Sequence, residues 1–590
     1  MRWTSFLVLS LVVLSSHSHA TIGTIVVSGG DAAEIAGAKF DSFTLASLNS
    51  SGHATFVATL QEAVGGVSTT NDQVLYTFEG GLSLKAREGS GGVPAIADAN
   101  FSDLVDVAIS DSGDVLVRAT LAIGPGDVTS SSNQGLWRFL TGGNQLLART
   151  GVGDTPGVAG GQFKKIPNFI RTTENGDSAF SDQLVSGGTI TLANDIGIWF
   201  YQGSTGSLIV REEVSQVPGI PSATFSTLGI PSINNNAQGT ARATLKHDAT
   251  LGIDSSNHVG VWKYTGSSGE LIARQAVGNA PETGNPFSSF GHPVINDSGQ
   301  VAFRAELTSG SGGLWRYTTS VGELVALANT DTVPEVPNAS FSTFDEPRFA
   351  DNGALVVHAE LNSGPGGVNN GNNSGIWRFT SSGNHLLART GSGGVPGLPG
   401  ANFSDLGAYT ANANGSAVIA ATLEMGPGGV GSDDSGIWLY PATGIPELIA
   451  RKGDQLAGRI VAGLSLLSND LFGRPVRGFN NQNQLLFHAE FTNGDEGLFL
   501  FTPGGGSSAD FNGDTFVDDT DLSTWQSAYE STTAGDADGD GDSDGADFLA
   551  WQRQFTGSGA AASNLSVPEP TGVYLALAFL GLLVPRRISG

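Results

Sequence analysis

Oxygen ligands gather in two short stretches near the end of this 590-residue chain. DADGDGDSDGAD, Asp536 to Asp547, sets six aspartates in twelve residues of a chain that is only 14% charged. A twelve-residue calcium loop takes oxygens at positions 1, 3, 5, 7, 9 and 12, the seventh through a carbonyl, with glycine at position 6 for the turn. Those places fall on Asp536, Asp538, Asp540, Asp542, Asp544 and Asp547, with Gly541 at the turn. Upstream, DFNGDTFVDDTD offers Asp510, Asn512, Asp514, Phe516 through its carbonyl, Asp518 and Asp521, with Thr515 in place of the glycine. The expected cofactor is Ca²⁺, two ions in all. A disordered acidic linker has no reason to repeat this spacing. Without metal the clustered carboxylates repel, so folding of the segment is expected to depend on the ion.

Each loop runs into a short helical piece, Leu522–Tyr529 and Phe548–Phe555. Leu522, Trp525 and Tyr529, and likewise Phe548, Trp551 and Phe555, fall on one face. Two loop–helix units with aspartate at the twelfth place, and no helix before either loop, resemble a type I dockerin over residues 508–556. The resemblance implies two calcium ions and docking onto a cohesin-type module. The residues that would read the cohesin are Asp519–Thr520 and Gly545–Ala546. A calcium-stapled stalk without a cohesin is the other use of such a module.

Elsewhere the chemistry is sparse. The nine histidines show no metal-ligand spacing, there is no cysteine, and no HExxH, GxSxG or phosphate loop occurs. Paired carboxylates for glycoside cleavage are set by a fold and not by spacing. With 56 acidic against 28 basic residues, the formal charge of −28 argues against nucleic acid and anionic membrane surfaces as partners. The catalytic set read from sequence is therefore empty.

The body of the chain is a repeat. GLWRF at Gly135 recurs as GIWFY, GVWKY, GLWRY, GIWRF, GIWLY and GLFLF, with VLYTF at Val74 a weaker first copy. The anchors Tyr76, Trp137, Trp199, Trp262, Trp315, Trp377, Trp438 and Phe499 stand 53 to 63 residues apart. Each of the eight copies holds four short strand-like runs bounded by Gly, Asn and Pro. Four strands per unit, repeated, predict an all-β, eight-bladed propeller. The last copy lacks a fourth strand, and Ile22–Val27 is the spare that would close the ring. An open β-solenoid is the rival fold, but it would want terminal caps and the sequence shows none.

The second run carries NDSGQVAF (Asn296–Phe303), with partial copies at Asn49, Thr173 and Asn481. This resembles the NxxGxxAF tandem-repeat family of bacterial surface proteins of the choice-of-anchor type, over about residues 21–503. It is also similar to the TolB-type propeller repeat, with a turn of positive φ between the two inner strands. The resemblance brings no activity with it. Tryptophans present once per blade read as core. The LLAR arginines (Arg87, Arg149, Arg211, Arg274, Arg389, Arg451) read as structural pairs with carboxylates or loop carbonyls. A basic position on the second strand (Arg118, Arg242, Arg304, His358, His488), with Glu306, Glu360 and Glu490 on the same face, reads as in-strand or inter-blade pairing. A central anion site is the alternative. Asp433 and Asp434, in one of the Gly-rich loops, read as solvated.

The ends read as addresses. Arg2, the apolar Phe6–Leu14 and the small residues up to Ala20 predict a signal peptide, residues 1–20, cleaved between Ala20 and Thr21. At the other end Pro568, Glu569 and Pro570 precede an apolar run, Val573–Val584, then Arg586 and Arg587. This order resembles the PEP-CTERM sorting signal, residues 567–590, and implies an exosortase-type protease as partner. A plain tail anchor is the simpler reading, and either one limits membrane contact to the tail. Between these lie the propeller (21–503), a linker (504–507), the dockerin-like module (508–556) and a second linker (557–566). The expected protein is an exported cell-envelope binding or scaffold protein with a polysaccharide among its expected ligands. An extracellular carbohydrate-active enzyme, hydrolase or lyase, and a structural matrix protein are the alternatives. Converging carboxylates or histidine at one mouth would favour the enzyme.

Overall fold

The computed structural model describes residues 20–140, 142–167, 170–318, 321–330, 333–467, 478–503, 509, 511, 517–529, 531–537 and 542–554. The chain divides into two compact units, one of residues 21–502 and the other holding the remaining residues of both ends.

The larger unit is an eight-bladed β-propeller: eight sheets, each with four principal antiparallel strands among the described residues, in chain order in seven of them, while the eighth combines the last three long strands with the first strand of the chain. Blade 6 shows the strand order. Its innermost strand is broken into Phe341–Phe344 and Arg348–Phe349, and Leu355–Leu361, Ser374–Phe379 and Asn384–Arg389 follow outward. Thr21–Val27 lies antiparallel on Glu496–Thr502, with Thr21 opposite Thr502 and Val27 opposite Gly497.

The repeated residues show why the unit folds this way. All six repeat tryptophans are fully buried, and each indole donates to a proline carbonyl about forty residues back, as Trp377 Nε1 does to Pro334 O at 3.3 Å. A phenylalanine meets each ring edge-on; Phe341 and Trp377 lie 5.0 Å apart at 84°. The glycine two residues before each tryptophan makes room for the ring. A Cβ on Gly375 would stand 2.4 Å from Trp377 Cη2. The LLAR arginines bind loop carbonyls in every copy that has one, for example Arg274 Nε to Asn257 O at 2.6 Å and Arg389 Nε to Asn372 O at 2.7 Å.

The NxxG motif does more than turn the chain. The positive φ falls on the glycine (Gly299, 73°; Gly415, 82°), or on Ala237 and Asn483 where the glycine is missing. The asparagine keeps an ordinary backbone. Asn296 Oδ1 accepts from Gln300 N at 2.9 Å, while its amide donates to Ala350 O of the next blade at 3.1 Å. Equivalent bonds run from Asn49 to Ser110 O, Asn234 to Asn296 O and Asn412 to Asn480 O. Asn480 donates to Asn49 O at 2.9 Å and so ties the last repeat to the first. Ala302 and Phe303 point to opposite faces and join different hydrophobic clusters.

In the other unit, α1 (Asp519–Ala528) and α2 (Gly545–Gln554) pack around Ala509, Val517, Ala537 and Trp551, with Phe511, Leu522 and Phe548 against them. No helix among the described residues is long and apolar enough to cross a membrane, and Val573–Val584 lies outside them. So do residues 1–19 of the expected signal peptide, and Pro568, Glu569, Pro570, Arg586 and Arg587. Ala20 is exposed, and Thr21 begins the first strand.

Candidate functional site

Six of the twelve expected metal ligands are described: Asp518, Asp521, Asp536, Asp542, Asp544 and Asp547. Asp510, Asn512, Asp514, Phe516, Asp538 and Asp540 lie outside the described residues. The two aspartates at the twelfth place are fully buried. Asp521 Oδ2 accepts from Asp518 N at 2.9 Å, closing a capping box at the start of α1. Asp547 repeats this at α2, accepting from Asp544 N and from Ala537 N, each at 2.6 Å.

The two halves also hold each other. Trp525 of α1 donates its indole N–H to Asp544 O of the second loop at 2.8 Å, and Trp551 of α2 donates to Asp518 O of the first at 2.9 Å. Trp525 and Phe548 lie 4.9 Å apart between the helices. The result is a reciprocal pair in which each helix fixes the other's loop.

One oxygen from each of Asp542, Asp544 and Asp547 lies within 4.8 Å of the others. Oxygens on one calcium ion, at 2.3–2.6 Å each, stand no more than about 5.2 Å apart, so the donor set fits that ion. Asp542, expected to offer a carbonyl, contributes a carboxylate oxygen to the group.

In the propeller, the residues present in every blade are scaffold, as their periodicity implies. The basic second-strand position serves the joints between blades. Arg118, Arg242 and Arg304 donate to Ile166 O, Phe290 O and Phe344 O of the following blades, so they do not converge on a central anion. Asp433 and Asp434 pair with Arg451 at 2.8 Å and Lys452 at 3.0 Å.

Blade 6 departs from the pattern. His358 Nδ1 meets Asp345 Oδ2 at 2.8 Å, and Nε2 meets Ser374 Oγ at 2.7 Å. Glu360 Oε1 lies 3.9 Å from Nε2, and its other oxygen accepts from Asn373 Nδ2 at 2.6 Å. His358 N donates to Tyr409 Oη of blade 7 at 3.1 Å. Burial lowers the basicity of the imidazole, but the hydrogen bond it donates to Asp345 and the charges of Asp345, Glu360 and Asp405 outweigh it, and its pKa is raised. The same imidazole holds the carboxyl of Asp345 below its usual range.

Sequence reading found His358 and Glu360 but not Asp345 or Ser374. Asp345 stands in the break of the innermost strand and Ser374 on a neighbouring strand, so only the sheet brings them together. In blade 8 the equivalent His488 meets Glu496 at 2.9 Å, and Glu496 occupies the place that Ser374 holds in blade 6.

The central channel holds a cavity of about 220 Å³ lined by Asp111, Glu174, Asn235, Asp297, Asp351 and Asn481, among others. These follow the turn asparagine or its equivalent, and they link blade to blade. Asp297 N donates to Asp351 at 2.7 Å, and Asn481 Nδ2 donates to Glu174 Oε1 at 3.0 Å. Burial first, then Asp111, Asp297 and Asp351, raises the pKa of Glu174.

No curated protein matches this chain. Among solved structures it is similar to a puromycin hydrolase, at 11% identity and TM-score 0.33 over 67% of this chain and 51% of the other. A puromycin-hydrolyzing peptidase of Mycobacterium tuberculosis gives 10% and 0.35 over 80% and 61%. The polysaccharide lyase Uly1 gives 10% and 0.32 over 71% and 93%. The chain thus spans about half to three-fifths of the first two, and these scores are too low to transfer an activity. The profile of a family of unknown function, DUF7453, matches residues 10–137 and 78–502. The chain belongs to that family.

Proposed function

We propose that this is an exported cell-envelope binding or scaffold protein whose propeller is held at the surface by a calcium-dependent, dockerin-like module. The observation that carries the reading is the grouping of Asp542, Asp544 and Asp547 oxygens within 4.8 Å, at the start of one of two helices that brace each other's loops. Asp536 and the undescribed Asp538 and Asp540 would complete the second site, and the 510–521 loop would hold the first. The ion would neutralise the carboxylates and lock each loop to its helix. A cohesin-type module is the proposed partner. The tail from Val567 is proposed to direct sorting by an exosortase-type protease after the N-terminal signal has directed export. Thr21–Val27, paired on Glu496–Thr502, is proposed as the strand that closes the ring.

Fractionation tests the reading. In cells making the full chain, the protein is expected in the envelope fraction. It should be lost to the medium on calcium chelation, or when Asp544 and Asp547 are replaced by asparagine. Chelator-resistant retention of both forms would overturn the tether.

A second reading is favoured by one observation. His358 and Glu360, placed on one face by the sequence, converge with Asp345, which the sequence did not show. They support a carbohydrate-active enzyme on the propeller scaffold.

A further inference from the structure

We propose that Ser374 is the nucleophile of an ester hydrolase, activated by His358 and positioned by Asp345. This deepens the second reading and rests on it. The propeller, its blades and its metal module stand without it.

A serine hydroxyl is a weak nucleophile until an adjacent base can take its proton, and the base acts well when a carboxylate fixes its tautomer. The chain Asp345 Oδ2–Nδ1 His358 Nε2–Oγ Ser374 has that order at 2.8 and 2.7 Å. Its members come from one rigid sheet. Leu355–Leu361 carries the histidine, Ser374–Phe379 the serine, and the interruption between Phe344 and Arg348 the aspartate.

The array is specific to blade 6. The place of Ser374 is taken by Gln73, Gln134, Ile196, Val259, Gly312, Ser435 and Glu496 in the other blades, and the place of His358 is histidine again only in blade 8. Blade 7 has a serine there but Ala420 in place of the histidine. A feature needed by the fold would recur, as the tryptophans do. Asp345 is largely exposed and Ser374 half-buried, so the array is open to solvent.

The step balances without a co-reactant other than water. Ser374 Oγ bonds to the acyl carbon as its proton passes to His358 Nε2. The ester C–O bond breaks, and the departing alkoxide takes that proton. Water then bonds to the acyl carbon, its proton goes to Nε2, the acyl–Oγ bond breaks and Oγ regains a proton. Glu360, 3.9 Å from Nε2, and Asp345 on the other nitrogen both favour the imidazolium formed on the way. The same carboxylates, with Asp405, repel anionic substrates. The substrate class is therefore an uncharged acyl ester, such as an O-acyl group on a neutral saccharide.

The test uses the full chain and a fluorophosphonate probe, which bonds covalently to an activated serine. Peptide mass spectrometry locates the label, so the result does not depend on a variant folding. The expected result is labelling at Ser374, abolished by Ser374→Ala and slowed about a hundredfold by His358→Gln. Ser465→Ala, beside the blade 8 histidine, should leave it unchanged. Because His358 is held protonated above the ordinary histidine range, the labelling rate should climb with pH and flatten once the imidazole is neutral. Asp345→Asn should move that rise to lower pH, which a merely structural aspartate would not do. No label at Ser374 anywhere from about pH 6 to about pH 9, or label only on other residues, overturns the proposal. That outcome would leave saccharide binding by the propeller, read separately by titration with neutral oligosaccharides, intact.

Discussion

Gly375 and Glu212 show how single residues set the stability of the ring. A methyl group on Gly375 would meet Trp377 Cη2 at 2.4 Å, in a blade core with no room to shift. Gly375→Ala is expected to cost roughly 2–3 kcal/mol, read by denaturant unfolding of the full chain. Glu212 is almost wholly buried. Burial first, and then the charge of Asp195, pushes its carboxyl up to about 7. A raised folded-state value means that the folded chain holds the proton more tightly than the unfolded one. The carboxyl therefore does no harm below about pH 4, and its stability contribution is lost as pH rises to about 7. Glu212→Gln is expected to raise stability by roughly 2–3 kcal/mol at about pH 8 and to change it little at about pH 4. An equal gain at both values would contradict the assignment.

At the scale of elements, what repeats was legible and what occurs once was not. The tryptophan anchors, the LLAR arginines and the asparagine–glycine turns recur, so their structural roles could be read from spacing alone. The link from each turn asparagine to the next blade was missed because its acceptor is a backbone carbonyl some sixty residues away, which no pattern marks. Asp345, His358 and Ser374 occur once, and their meeting is a product of strand register. The two helices of the C-terminal unit were expected at Leu522–Tyr529 and Phe548–Phe555 but begin three residues earlier, at Asp519 and Gly545, because the aspartate at the twelfth place caps the first turn, and the reciprocal tryptophan bonds were not foreseen. Those bonds act on the ligand loops from outside. Trp525→Phe keeps the aromatic packing and removes the donor to Asp544 O. It is expected to weaken calcium at the second loop about tenfold, with Trp551→Phe doing the same at the first, both read by calorimetry.

At the scale of the whole molecule, the fold spends its repeated residues on holding eight sheets in a ring and leaves function to the exceptions. The strand Thr21–Val27, the Asn480–Asn49 bond and the bond from Phe43 N to Glu496 are among the places where the first and last repeats meet. Deleting residues 21–27 should expose the edge of Glu496–Thr502 and drive self-association, visible by size-exclusion chromatography with light scattering. A monomer of unchanged stability would show that the ring does not need the strand. The proposed tether rests on calcium binding by the C-terminal module. It is tested most directly by titrating Ca²⁺ into the metal-stripped full chain, following heat and helical circular dichroism together. Two equivalents bound with a gain of helix, and one equivalent lost with each of Asp521→Ala and Asp547→Ala, is the expected result. No heat of binding, or two equivalents still bound by both variants as by the parent chain, would contradict it.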